Sequence, residues 1–216
     1  THKHNLSGGK QHFSLFVQEG DPGSRTSYYW IGSNGQRHDP SKWSLSSGGE
    51  PAGVVPGPDD HVVLDRHSFS QENQLLTLLA DVTCHTLTVT AGAQGLVNMN
   101  GRTLSLSGSL YAERGFFDPG GPGTLRFEGT RKDAYVYLED PGKASSAPVS
   151  LVFDHPAGRW RLLSPLAADR LVLRAGEVVM EDVFLQLREL RVEDNPFHKM
   201  LDMRASEFVG LERVYF

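Results

Sequence analysis

Paired acids are the first residues in this chain that could do chemistry: Asp59-Asp60, Glu139-Asp140, Glu181-Asp182 and Glu193-Asp194. Two carboxylates share acid and base roles only when they converge, and neighbours on an extended strand point to opposite faces. No pair is therefore a ready-made couple. A repeating fold can gather carboxylates from equivalent positions on successive repeats. Asp182 and Asp202 have a spacing that would let them stack in this way, as do Asp118 and Asp140, and Arg188, Arg191 and Arg204 lie near the first pair. The candidate catalytic set is Asp182, Asp202 and Arg204, weighed against the plainer reading of solvated turn charges.

Calcium is the one cofactor the acids raise. Gly120-Gly121-Pro122-Gly123-Thr124-Leu125 starts like a calcium-binding nonapeptide, but Leu125 stands where that repeat needs an aspartate. The hard cation requires carboxylate oxygen there, so the repeat reading fails. A single site from Asp59, Asp60 and Asp65 remains, against turns in which aspartate caps backbone amides. The aromatics Tyr28, Tyr29, Trp30 and Trp43 are the carbohydrate-binding candidates, since an aromatic face suits the apolar side of a pyranose. The alternative is that they pack, because Trp and Tyr supply the most area per residue. The histidines share no ligand spacing, and no Ser-His-Asp order, phosphate loop or dinucleotide fingerprint is present. Cys84 is alone, flanked by Val82, Thr83, His85 and Thr86, and reads as a buried core cysteine.

The elements that must position these groups show in the apolar rhythm. Val62–Leu64, Leu87–Val89, Leu104–Leu106, Leu125–Phe127, Leu151–Phe153, Leu171–Leu173 and Leu190–Val192 are strand-like runs separated by turns. Such a period implies a solenoid, whose coils bury their apolar faces only by stacking. Asp118-Pro119-Gly120 and Asp140-Pro141-Gly142 repeat a turn, with Asp154 to Gly158 as a looser third copy. Leu104, Leu106 and Leu110 should point inward and Ser105, Ser107 and Ser109 outward. Val183–Asp194 reads as strand by the same alternation, and Trp160 should be inward between outward Arg159 and Arg161. The 216 residues, 38% hydrophobic and 22% charged, fit one all-β domain. The formal charge of −5 without basic blocks argues against nucleic acid, and no apolar run is long enough for a spanning helix.

Residues 1–20 read as a polar leader or an added remnant, with His2, His4 and an Asn5-Leu6-Ser7 sequon. Residues 21–60 read as an N-terminal cap over the first coil, with a hairpin turn at Asn34-Gly35, and 61–216 as the coils. Ser68–Leu79 interrupts the rhythm, so an extra strand is expected there, with at least two of its leucines buried. Leu76 or Leu78, Val82 and Cys84 should point inward, and Thr83 and His85 outward.

Tyr29-Trp30-Ile31-Gly32, Asp39-Pro40-Ser41-Lys42-Trp43-Ser44 and Gly53-Val54-Val55-Pro56-Gly57-Pro58-Asp59-Asp60-His61-Val62-Val63-Leu64 resemble a recurrent module of bacterial secreted proteins. In that module an aromatic W-x-G element and a DP-x-x-W segment precede a right-handed parallel β-helix. Leu87–Ala93 and Leu104–Leu110 look like its coils. Pro56 to Val63 is also similar to the G8 domains of hyaluronan-handling proteins. The resemblance covers about residues 28–110 and implies a cell-surface or secreted setting, as in autotransporter-like adhesins, with no catalytic motif.

The expected architecture is therefore an all-β right-handed parallel β-helix of six or seven coils with an N-terminal cap, with a β-sandwich as the alternative. The expected function is an extracellular structural or adhesion module of a larger bacterial surface protein, contacting polysaccharide or surface glycan. The apolar run Phe208–Phe216 fits a module that continues into more polypeptide. The rival is a polysaccharide lyase or glycoside hydrolase with carboxylates stacked on adjacent coils.

Overall fold

The computed structural model describes residues 25–114, 116–118, 120–130, 134–138 and 149–216. The leader, its histidines and sequon, and the Asp140 turn with its stacking on Asp118 lie outside the described residues. In chain order the strands are β1 (Ser27–Trp30), β2 (Gly35–Gln36), β3 (Trp43–Ser44), β4 (His61–Leu64), β5 (Leu75–Thr77) and β6 (Val82–Cys84). They continue as β7 (Thr86–Val89), β8 (Leu96–Asn98), β9 (Thr103–Leu106), β10 (Leu110–Ala112), β11 (Gly123–Phe127) and β12 (Ala134–Leu138). The last six are β13 (Val149–Leu162), β14 (Leu166–Met180), β15 (Phe184–Val192), β16 (Lys199–Asp202), β17 (Glu207–Val209) and β18 (Arg213–Tyr215).

All strand pairings among the described residues are parallel except β1 with β3, so the structure is a parallel β-helix and not a sandwich. The described coils build three faces. The first sheet runs β3-β1-β4-β7-β10-β12 and on through the ends of β13 and β14 to β16. The second runs from β6 through β9 and β11 to the start of β13, the middle of β14, the end of β15 and β18. The third begins β2-β5-β8; the starts of β14 and β15, then β17, take the same place in later coils. One column of the second sheet, Val82–Leu104–Leu125–Leu151–Leu171–Leu190–Val214, counts six steps. Its spacings of 22, 21, 26, 20, 19 and 24 residues show that the register is kept while the corners vary in length.

The sequence dictates this through alternation. In β15 Leu185, Leu187 and Leu190 are buried while Phe184, Gln186, Arg188 and Arg191 are exposed. Trp160 is fully buried between a half-buried Arg159 and an exposed Arg161. Leu104, Leu106 and Leu110 fill the core as expected, although Ser105 is itself covered. Stacked apolar columns result: Phe127 and Phe153 lie 4.9 Å apart with near-parallel rings, and Phe153 continues to Trp160 at 5.3 Å. Each large side chain so buried contributes about 1.5–3 kcal/mol.

Corners are held by side chains reaching one coil away. Asp81 accepts from the Thr103 amide at 2.9 Å, Glu113 from Ala91 at 2.8 Å, and Asp118 from the Asn98 side chain at 2.5 Å. The three Asp turns expected to repeat are not equivalent where they are described. Asp118 follows the third-sheet residue Phe117, whereas Asp154 sits inside β13 at the bend from second to first sheet. Asp118 accepts from the Gly120 amide in its turn, while Asp154 pairs with Arg126 and Arg174.

Two local expectations are corrected. Asn34-Gly35 is not a hairpin turn, because Gly35 enters β2 and pairs in parallel with Leu76, while β1 folds against β3. Asn34 is used otherwise: its side-chain oxygen accepts from the Leu75 amide at 2.7 Å and seats the extra strand β5. That strand fills the Ser68–Leu79 interruption, with Leu76 and Leu78 buried. Cys84 is buried as expected, but so is His85, at 2% exposure. His85 occupies a coil corner, where strand alternation lapses, and Gly108 of the next coil closes over its ring.

Candidate functional site

The cap brings its two tryptophans together, but inward. Trp30 and Trp43 are cross-strand partners with no exposed surface, their rings 5.1 Å apart at 72°. The Trp30 indole donates to the Ser33 carbonyl at 3.1 Å and the Trp43 indole to the Arg37 carbonyl at 2.7 Å. Neither face is open to a ligand, because each indole is both packed and hydrogen-bonded. Tyr28 is half-buried against the core and Tyr29 half-buried on the opposite face of β1.

Arg37 was not legible as a structural residue. Its guanidinium is buried, donates to the Pro56 carbonyl at 3.0 Å and the Thr83 carbonyl at 3.4 Å, and lies 5.8 Å over the Trp43 ring. Burial lowers its pKa, with Cys84 and Asp60 opposing. It stands above β6, the first strand of the second sheet, and supplies a donor there much as a preceding strand would. It also lines a small apolar cavity with Trp43, Leu64, Leu78 and Cys84. Burial pushes the Cys84 thiol up to about 12, which keeps it protonated and unreactive.

The acidic candidates are not brought together. Asp60 and Asp65 flank the two ends of β4. Asp60 accepts from the Gly57 and Thr26 amides at 2.6 and 3.3 Å, and Asp65 from the His67 amide at 2.9 Å. Asp59 is exposed. Asp182 and Asp202 do not stack: the coil partner of Asp202 is Val179, and Asp182 sits three residues further on with φ +58°. The sequence spacing of 20 missed the true step here, which is 23. Arg204 holds Asp202 at 3.0 Å and approaches Glu181 at 3.9 Å, and these partners raise its pKa. Arg188 is engaged elsewhere, with Asp169 at 2.6 Å.

Two outer arrangements emerge that single-strand reading missed. On the second sheet a charge ladder runs Glu128–Arg126–Asp154–Arg174–Glu193 at 3.3, 4.0, 3.4 and 3.0 Å. For Arg174, burial works to lower the pKa, but its hydrogen bonds and charge contacts with Glu193 and Asp154 outweigh it and the net shift is upward. On the first sheet an outward column runs Tyr29–Val63–Thr88–Tyr111–Tyr137, each half-buried. Tyr111 and Tyr137 stack at 5.0 Å and 16°, and the Tyr111 hydroxyl donates to Glu113 at 3.1 Å. Tyr135 lies beside them, its phenol held above the ordinary value mainly by burial. Because the rings stack along the solenoid, they turn edges and hydroxyls outward. Ala134-Tyr-Val-Tyr-Leu138 carries the signal, since its alternation sends both tyrosines out.

No family model, curated protein or solved structure matches this chain, so the resemblance to capped β-helix modules rests on its own motifs and on the fold they lead into.

Proposed function

We propose that this chain is a non-enzymatic module of a larger extracellular protein, a stalk or adhesin, on which further structure stacks and whose outer faces contact glycan. One observation carries this reading: the last coil offers an apolar surface at positions that are covered in the coil before. Leu190 is 3% exposed and its partner Val214 is 45% exposed. Leu185 is fully buried and its partner Phe208 only half. Phe216 is exposed as well, and so is Val209 on the outer face, where its partner Gln186 is also exposed. Unpaired strand edges with apolar side chains recruit another strand or coil. The other end carries its own lid of β1, β3 and Arg37. The first sheet's outer column ends in the stacked pair Tyr111 and Tyr137, with Thr88 before them, and these ring edges and hydroxyl groups suit contact with a polymer of hydroxyls.

The test replaces Val209, Val214 and Phe216 together by threonine, which keeps strand propensity. Binding of a hydrophobic dye and self-association should fall, with the unfolding midpoint unchanged. Strong destabilisation with no change in dye binding would show that those side chains are already covered, and would overturn the reading.

A further inference from the structure

The stacked tyrosines of the first sheet have a chemistry beyond hydrogen bonding. Tyr111 and Tyr137 are parallel, in-register partners on adjacent coils, their rings 5.0 Å apart and within 16° of parallel. The backbone fixes this approach, because neighbouring strands sit about 4.8 Å apart. Both side chains are half-buried, so they are held in place and still reachable. The Tyr111 hydroxyl already donates to a Glu113 oxygen at 3.1 Å, a base placed to receive the phenolic proton when the ring loses an electron. The other oxygen of Glu113 is anchored by the Ala91 amide at 2.8 Å. Trp30, Trp43 and Trp160 have no exposed surface, which leaves Tyr215, 45% exposed and without a stacked tyrosine partner in its register, as the most open competing ring among the described residues.

We propose that Tyr111 and Tyr137 form an oxidative cross-linking site, joined as dityrosine to staple one coil to the next. The co-reactant is a peroxide acting through a haem peroxidase. Each phenol loses one electron and one proton. The two phenoxyl radicals form a carbon–carbon bond between ring positions ortho to the oxygens, and the hydrogen at each joined carbon passes as a proton to its oxygen, which restores the aromatic rings and their hydroxyls. In all, two hydrogen atoms leave the protein and one hydrogen peroxide becomes two waters.

The test treats the dilute folded chain with a haem peroxidase and limiting hydrogen peroxide, and reads intact mass, dityrosine fluorescence and the cross-linked peptide. A monomer lighter by two hydrogens, with its link between Tyr111 and Tyr137, is expected. The link should be lost in Tyr111→Phe and Tyr137→Phe, which keep the ring, and in the urea-unfolded chain. Glu113→Gln should slow its formation. A main product joining other tyrosines, dimers alone, or equal yield in urea would overturn the site. An unchanged rate in Glu113→Gln would overturn the role given to that carboxylate.

Discussion

Replacing Arg37 separates the two ways in which a buried guanidinium acts. In Arg37→Met the stem's apolar volume is nearly kept while the donors and the charge vanish. The Pro56 carbonyl, bonded at 3.0 Å, then loses a charge-assisted partner, which costs about 1.5–3 kcal/mol. The 3.4 Å bond to Thr83 is long and adds less, and the contact over Trp43 adds about 1 kcal/mol. Relief from burying the charge opposes these losses, as the lowered pKa indicates. The net expectation is a loss of about 2 kcal/mol. Arg37→Ala also opens space beside an existing cavity and should lose about 4–5 kcal/mol, by the usual cost of truncating a buried long side chain. Urea unfolding followed by tryptophan fluorescence suits the question, because Trp30 and Trp43 report on the cap and Trp160 on a later coil. With a slope of about 3 kcal/mol/M, Arg37→Met should move the midpoint down by about 0.7 M. If Arg37→Met is as stable as the parent or more so, the guanidinium is not holding the open edge of β6, and the account of the cap fails.

Other substitutions test other parts of the stack. Gly176→Ala, at φ +90° with a new Cβ facing the His155 and Gly158 carbonyls, should cost about 3 kcal/mol or more, while Gly101→Ala, at φ +73° in open space, should cost about 1 kcal/mol; equal thermal shifts would refute this reading of the corners. Leu190→Ala should lose about 2–5 kcal/mol and Val214→Ala less than about 1 kcal/mol in urea titrations, although they are partners in one column. Cys84→Ser should cost about 1–3 kcal/mol by placing a hydroxyl in an apolar stack. Native Cys84 should react with a thiol reagent far more slowly than in urea. Its thiol moves from 9.0 to about 12 on folding, so the unfolded chain ionises first as pH rises, and stability should fall between pH 9 and 12. The slope from this thiol is about 1.4 kcal/mol per pH unit, and Cys84→Ala should remove that part of the fall while leaving the part that the raised Tyr135 phenol adds at higher pH.

The fold was legible because its signal is local and repeated. Each apolar triplet from Val62 to Val192 became a strand, and inward columns follow from alternation alone. The coil step was not legible, since beyond the cap it varies from 18 residues between Trp160 and Val178 to 26 between Ala134 and Trp160, and out of the cap it is 34 from Ser27 to His61 and 41 from Gly35 to Leu76. That variation explains why Asp182 and Asp202, 20 residues apart, do not stack where the local step is 23. Long-range partners were hidden for the same reason. Arg37 meets Thr83 across 46 residues and Tyr111 meets Tyr137 across 26, and no local pattern links either pair. The tryptophan signal did mark the cap, but residue type alone does not say whether an aromatic ring faces a sugar or a core.

The most direct test of the functional account is a glycan-array screen of the purified chain against pectins, alginate, hyaluronan and surface glycans, with product analysis of every polymer retained. The account predicts retention of at least one polymer with no new reducing ends and no unsaturated uronates. Turnover of any of them would contradict it and turn attention to the corner where Arg204 holds Asp202 beside Glu181.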